Sequence, residues 1–291
     1  MDTQKLHFHD PALNTGIDRI LELALPEDLG ASDVTATATV PADTQAEARL
    51  ISKAPVRVCG LPVWRSVLER LESKFWVGAV LDEGTDVQTG VELARVSGNA
   101  RDLLAAERIV MNLVCHLTGI ATITADYVAA AGGLRILDTR KTTPGLRSLE
   151  KYAVRVGGGH NHRFSLEAGV LIKENHIAAA GSLTGAVSAA KKHAPHSLRI
   201  QCEVCTEDEA AQALEAGADA LLLDNMSNAE LADCAGRFGD KAFLEASGNM
   251  NLERVQTLAP LAEHGLDAVS VGALTHSRPY ADLSMLLEVS K

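Results

Sequence analysis

Aromatic residues are scarce in this chain: two Trp, three Tyr and five Phe make up 3% of its 291 residues. Stacking platforms for single-stranded nucleic acid are correspondingly few. Positive charge is also short, with 27 Lys and Arg against 38 Asp and Glu, for a formal net charge of −11. Nucleic acids and anionic membranes are recruited by a basic field, and a surface of this sign repels them unless cations concentrate locally. Neither a nucleic acid nor a membrane is therefore expected as a partner. Residues 1–10 lack the apolar core and small-residue cleavage site of a signal peptide. No apolar run reads as reaching the roughly 18 residues that span a bilayer, so the expected location is cytoplasmic. Cysteine is sparse and scattered, at Cys59, Cys115, Cys202, Cys205 and Cys234, which fits reduced structural thiols. Cys202 and Cys205 form a C-x-x-C, but inside a β-like run with no second pair, a weak signal for zinc or redox chemistry.

What is present is an ordinary globular mixture, 46% hydrophobic and 22% charged. The first hundred residues read as a small α+β domain. Residues 16–25 carry apolar side chains at helical spacing and Pro26 is expected to close that helix. Residues 34–40, 46–58, 76–81 and 91–96 read as strands between Pro and Gly turns. Residues 101–131 read as a long apolar helix that turns or breaks near Gly119 at the junction. Beyond it, short apolar runs at 135–139, 170–173, 200–204, 220–224, 242–245 and 268–271 alternate with helix-like segments at 182–193, 207–216, 228–238 and 252–259. Strands buried on both faces and joined by helices imply parallel βαβ units. Six such strands are visible where a complete (β/α)₈ barrel needs eight, so the expected fold is α/β, an incomplete parallel barrel with a smaller N-terminal domain. An open doubly wound sheet is disfavoured because no strand opens into Gly-x-Gly-x-x-Gly. The expected domains are 1–112, with 277–291 as a segment that could pack on it, and 113–276.

Each apolar run ends on polar or ionisable residues: Asp138, Arg140 and Lys141; Lys173; Glu203; Asp224; Glu245 and Ser247; Gly272. In parallel α/β barrels the carboxyl ends of the strands form the catalytic rim. Between Asp138 and His176 stand seven cations and four acids, a net +3 that leaves −14 for the rest of the chain. This cationic island points to a small polyanionic substrate held in a cleft. Arg140, Lys141, Arg163 and Lys173, at or beside strand ends, are the cations weighted toward function, whereas Arg147, Lys151 and Arg155 fall on helical spacing and read as a solvated face. Gly157-Gly-Gly-His-Asn-His-Arg163 is a loop whose glycines let backbone N–H groups approach an anion. His160, His162 and His176 could instead be read as a metal cluster of a hydrolase, which the surrounding cations oppose. Glu203 and Asp224, one βα unit apart, can hold Mg²⁺, bind sugar hydroxyls or stabilise developing positive charge. Ser247-Gly248 and Gly272-Ala273 offer small-residue backbone of the kind that cradles phosphate. Together these suggest transfer of a sugar phosphate to an anionic acceptor.

Asp138-Thr-Arg-Lys-Thr-Thr-Pro-Gly-Leu-Arg147, Glu150-Lys-Tyr-Ala-Val154, Gly157-Gly-Gly-His-Asn-His-Arg163, Leu171-Ile-Lys-Glu-Asn-His176, Leu222-Leu-Asp-Asn-Met226 and Val269-Ser-Val-Gly-Ala-Leu-Thr-His-Ser277 closely resemble the quinolinate phosphoribosyltransferase family. The resemblance covers essentially the whole chain, including Glu27-Asp-Leu-Gly30 and Ala106-Glu-Arg108. It implies conversion of quinolinate and phosphoribosyl pyrophosphate to nicotinate mononucleotide, pyrophosphate and CO₂, with Mg²⁺, in de novo NAD synthesis. It also implies a sandwich domain fused to a seven-stranded α/β barrel, in a homodimer whose small domains cover the partner's barrel mouth. The residues matching the quinolinate pocket are Thr139, Arg140, His162, Arg163 and Lys173, with Arg108 implied to act across the dimer. Those matching the phosphoribosyl pyrophosphate side are Lys141, Glu203, Asp224, Ser247, Gly248, Gly272 and His276. Lys141, Glu203 and Asp224 take the catalytic roles and the two carboxylates the metal, directly or through water. The chain departs from the family pattern at Ser165-Leu166-Glu167-Ala168, at Gln201 in place of a first Glu, and at Gly248-Asn249 in place of Gly-Gly. A molybdenum-transport-associated paralogue of the same fold is the alternative from another functional class.

Overall fold

The computed structural model describes residues 6–290. Its strands, in chain order, are β1 Gln45–Ser52, β2 Val56–Arg57, β3 Phe75–Val80, β4 Asp86–Val87, β5 Glu92–Asn99, β6 Arg135–Leu137, β7 Val170–Ile172, β8 Ile200–Val204, β9 Ala220–Asp224, β10 Phe243–Ser247, β11 Ala268–Ser270 and β12 Leu283–Val289. The chain divides into two compact units. One comprises Met1–Ala125, Thr142–Gly158 and Arg278–Lys291, the other Asp126–Lys141 and Gly159–Ser277.

In the first unit an antiparallel sheet runs in the order β12-β1-β5-β3. Along β1 the side chains of Ala46, Ala48, Leu50 and Ser52 are buried while their neighbours are not, the period of two that a one-faced sheet requires. Trp64, on the helix Pro62–Arg70, is fully buried in the same unit. Residues 34–40 are not a strand. They form the helix Val34–Thr39, because Asp33 accepts the Ala36 N–H at 2.9 Å and so caps a turn that β-branched residues alone disfavour. The first helix is longer than its apolar stripe suggested, Pro11–Leu29, with Asp10 as its cap. Pro26 lies inside it rather than ending it, and the last turn closes by Gly30 N–H donating to the Pro26 carbonyl.

The long helix Ala100–Ala130 is unbroken at Gly119. That glycine serves close packing instead: a Cβ there would sit 2.2 Å from the carbonyl oxygen of Pro279. This helix is apolar and long enough to cross a membrane, with mean hydropathy 1.4 over its best window. That is more than the sequence reading allowed, because the apolar residues around His116 and Asp126 outweigh these two polar interruptions in the average. Since 67% of the window is buried, it serves as a core helix.

The second unit contains a six-stranded parallel sheet in the order β6-β11-β10-β9-β8-β7. Beside β6 a single bridge pairs His160 with Leu137, short of the seventh strand that the resemblance implies. Among the described residues the edge strands β6 and β7 do not pair with each other, so this is the incomplete α/β barrel form, with six full strands and one bridge. Four of its helices begin on a side-chain cap: Ser182, Thr206, Ser227 and Asn251 each accept from a backbone N–H of the first turn. Alternation along the strands then sorts the side chains. Leu221, Leu223, Leu244 and Ala246 are buried on one face, while Glu203, Leu222, Asp224, Glu245 and Ser247, two residues apart along their strands, open on the other.

Candidate active site

The open face and the carboxyl ends of the parallel strands enclose a cavity of about 1100 Å³. Binding pockets for single small molecules usually run from about 300 to 1,000 Å³, so this one has room for two substrates side by side. The sequence-predicted residues Thr139, Arg140, Lys141, His162, Arg163, Lys173, Glu203, Asp224, Ser247, Gly248, Gly272 and His276 all line it. Arg108 does not. It is exposed on the helix Ala100–Ala130, in the unit that does not contain the cavity.

Three cations, Arg140, Arg163 and Lys173, line the cavity, Arg163 entering it from the His-Asn-His-Arg loop. Asp138, fully buried, anchors that loop by accepting from the Asn161 amide at 2.6 Å and the His162 backbone N–H at 2.8 Å. Arg163 Nη1 donates to the Gly169 carbonyl at 2.8 Å. Burial, and then the neighbouring charge of Arg140, holds the Arg163 guanidinium below its ordinary pKa. Two like charges forced together in a part-desolvated wall are a site built for an anion. Lys173 Nζ sits 2.5 Å from Glu203 Oε2, an ion pair within the cavity lining.

The same lining carries phosphate-type features. Thr139 Oγ1 accepts the Lys141 N–H at 3.0 Å, and Thr275 Oγ1 donates to the Lys141 carbonyl at 2.8 Å, so the lysine's backbone is fixed at both ends. Gly272 must be small here. A Cβ would meet His276 Nε2 at 2.9 Å and the Lys141 side chain at 3.3 Å. Gly248 has φ of +89°, and its Cβ would collide with Asn225 Oδ1 at 2.2 Å. Asn249, where the family pattern has a second glycine, sits at φ of +51°, a left-handed conformation that asparagine tolerates better than most residues. The departure therefore leaves the backbone of the cradle in place. Arg254 braces this corner by donating to the carbonyls of Gly248 and Met226.

Sequence models of the quinolinate phosphoribosyl transferase N-terminal and C-terminal domains match residues 33–118 and 120–286. This chain belongs to the quinolinate phosphoribosyltransferase family. A relative in Mycobacterium leprae named nicotinate-nucleotide pyrophosphorylase (carboxylating) is 40% identical over 270 residues, 90% of this chain and 94% of that protein. A probable nicotinate-nucleotide pyrophosphorylase (carboxylating) of Bacillus subtilis is 36% identical over 276 residues, 94% of each. Among solved structures, NadC from Streptococcus pyogenes superposes with a TM-score of 0.88 at 37% identity, over 95% of this chain and 98% of that one.

Within the cavity of this quinolinate phosphoribosyltransferase family member stand residues that sequence reasoning gave no role. Asn225, Asn249 and Ser270 line it, as do Tyr127 from the last turns of the long helix and Glu245. Asn225, like Asn249, has a positive φ, and an asparagine directly after a strand-ending acid or glycine was the available signal. The three histidines diverge in use. His160 bridges β6, His162 meets Glu245, and His176 Nδ1 accepts the Lys173 N–H. Among the described residues no group of three or more His, Cys, Asp or Glu gathers in a metal-holding cluster. Mg²⁺ asks less of a protein, because it keeps several waters and takes substrate phosphates as ligands, so the pair Glu203 and Asp224 fits it in number and kind. The cysteines are free, and burial pushes the Cys202 thiol up to about 11, which suits a structural rather than a nucleophilic role.

Proposed function

We propose that this cavity transfers a phosphoribosyl group from phosphoribosyl pyrophosphate to quinolinate and releases pyrophosphate and CO₂, leaving nicotinate mononucleotide for NAD synthesis. The observation that carries the reading is that one cavity is lined both by Arg140, Arg163 and Lys173 and by Lys141, Ser247, Gly248, Gly272 and His276 with Glu203 and Asp224. The first set suits a pyridine dicarboxylate, because guanidinium groups present planar forks to carboxylates. The second suits a ribosyl pyrophosphate.

In this reading the ring nitrogen attacks the anomeric carbon, forming the N–C bond as the C–O bond to pyrophosphate breaks. Positive charge develops on the ribose, and Glu203 and Asp224 stabilise it from fixed positions. Lys141 receives the departing negative charge. Glu203 and Asp224 would hold Mg²⁺ directly or through water, and the ion would supply further neutralisation of charge on the pyrophosphate. The product ring is a pyridinium and therefore an electron sink. The carboxylate next to the nitrogen leaves as CO₂, its electron pair stays on the ring carbon, and that carbon takes a proton. Arg108 is assigned to a second copy of the chain, where it reaches the quinolinate side of the partner's cavity in a homodimer. Incubation with both substrates and Mg²⁺, followed by detection of nicotinate mononucleotide and CO₂, tests the whole reading. A protein that binds both substrates yet forms neither product would overturn it.

A further inference from the structure

The wall behind the cations contains a group that touches neither substrate in the reading above. Glu245, in the middle of β10, is only 1% exposed, and two side chains converge on its Oε2: the Gln201 amide at 2.8 Å and His162 Nε2 at 3.4 Å. Burial alone would push this carboxyl up. Hydrogen bonds from His162, Gln201 and Ser270 outweigh it and hold the group below its ordinary value, so it is a carboxylate. The other ring nitrogen of His162 is engaged as well, since Nδ1 accepts the backbone N–H of Arg163 at 2.7 Å. An accepting nitrogen carries no proton, so this hydrogen-bond pattern assigns the ring proton to Nε2, facing the carboxylate.

A second cavity, of about 520 Å³, lies behind this row, and its lining includes Arg135, His160, Arg199 and Gln201. Only His162, Arg163 and Glu245 line both cavities. His162 therefore borders both spaces, and its polar contacts, with Glu245 at Nε2 and the Arg163 N–H at Nδ1, are what fix its ring.

We propose that Glu245, steadied by the Gln201 amide, is a positioning residue for dicarboxylate recognition, fixing the His162 ring and through it the backbone from which Arg163 enters the cavity. The inference rests on the quinolinate reading above. His162 then acts mainly through Arg163, because both of its ring nitrogens are spent inside the protein.

Two variants separate this role from simple structural damage. Glu245→Gln keeps an oxygen that can accept from both donors, whereas Glu245→Ala removes it. Loss of a hydrogen bond to a charged group corresponds to roughly 10- to 100-fold in affinity. E245A is expected to raise the quinolinate Kd and KM by that factor while leaving the phosphoribosyl pyrophosphate KM within about threefold, and E245Q to stay near wild type. Nitrogen-15 spectra of His162 should show the fixed Nε2–H form in wild type and E245Q, and tautomer exchange in E245A. Equal losses for both substrates, an unchanged quinolinate Kd in E245A, or an E245Q variant as weak as E245A would each overturn the proposal. Wild-type protein that binds quinolinate but gives no product would overturn the catalytic reading while the binding and spectral arms still decide this one.

Discussion

Arg163→Ala is the perturbation that bears most directly on why this pocket would prefer a dicarboxylate. The guanidinium is half-buried beside Arg140, one Nη donates to Gly169, and its buried Nε has no protein partner. A substrate carboxylate would relieve the repulsion between the two arginines. Truncating one member of a hydrogen-bonded charge pair costs about 2–5 kcal/mol, and half-burial places this case at the lower end. At about 2–3 kcal/mol, the quinolinate Kd rises roughly 30- to 150-fold. Nicotinate brings one carboxylate to the same three cations, so Arg140 and Lys173 remain for it, and its loss is expected to be about 1 kcal/mol or less, roughly fivefold. Calorimetric titration of both acids into wild type and variant reads the two numbers side by side, and an unchanged melting temperature and pyrophosphate-substrate KM guard against a collapsed loop. Equal losses for the two acids would refute the two-carboxylate reasoning, and so would a larger loss for nicotinate.

Other consequences can be checked separately. If Arg108 acts across a dimer, mixing inactive Arg108→Ala with inactive Lys173→Ala chains should restore a measurable fraction of activity, and no recovery after subunit exchange would place Arg108 elsewhere. Removing divalent cations with a chelator should abolish turnover and Mg²⁺ should restore it, while Asp224→Ala should lower kcat even at saturating Mg²⁺. Gly119→Ala places a Cβ 2.2 Å from the Pro279 carbonyl oxygen, so thermal melts should show a loss of about 1–3 kcal/mol. Glu150 is buried, which alone would raise its pKa, yet hydrogen bonds from His116 and Thr143 hold it below its ordinary 4.5. A carboxyl lowered on folding stabilises the protein above that value and loses the contribution as pH falls, so the stability gap between wild type and Glu150→Gln should be widest near neutrality and narrow below about pH 4.5.

The second unit was legible in the sequence because its signals are local and repeated. Each parallel strand is a short apolar run, four of the helices between them open on a Ser, Thr or Asn cap, and the last polar residue of the run marks the rim. The first unit was less legible, since its elements depend on partners far along the chain. Residues 34–40 have the alternation of a strand, and only the Asp33 cap turns them into a helix. The strand β12 carries a weak pattern of its own and gains its identity by pairing with β1, where Leu50 faces Met285. Gly119 looked like a break because a glycine in a helix lowers propensity; its reason, the Pro279 carbonyl, lies 160 residues further on. Glu245 was visible as a rim charge, but its tie to Gln201 and His162 crosses strands and cannot be read from spacing.

Charge shows the same division between what local sequence carries and what folding decides. The net +3 between Asp138 and His176 looked like one island, yet folding distributes it. Arg140, Lys141, Arg163 and Lys173 line the cavity, while residues 142–158, with Arg147, Lys151 and Arg155, belong to the other unit. Nor are those three a common solvated face, because Lys151 is only 1% exposed whereas Arg155 lies open beside Asp10. What concentrates positive potential in the cavity is therefore not the segment's total but four side chains delivered from two strand ends and one glycine-led loop. Against them the cavity sets Glu203, Asp224 and Glu245. Glu203 is already paired with Lys173, and Glu245 is spent on His162 and Gln201. Asp224 is the acid least committed to the protein's own cations, and so the one with most charge left for a metal ion or a developing cation on the substrate.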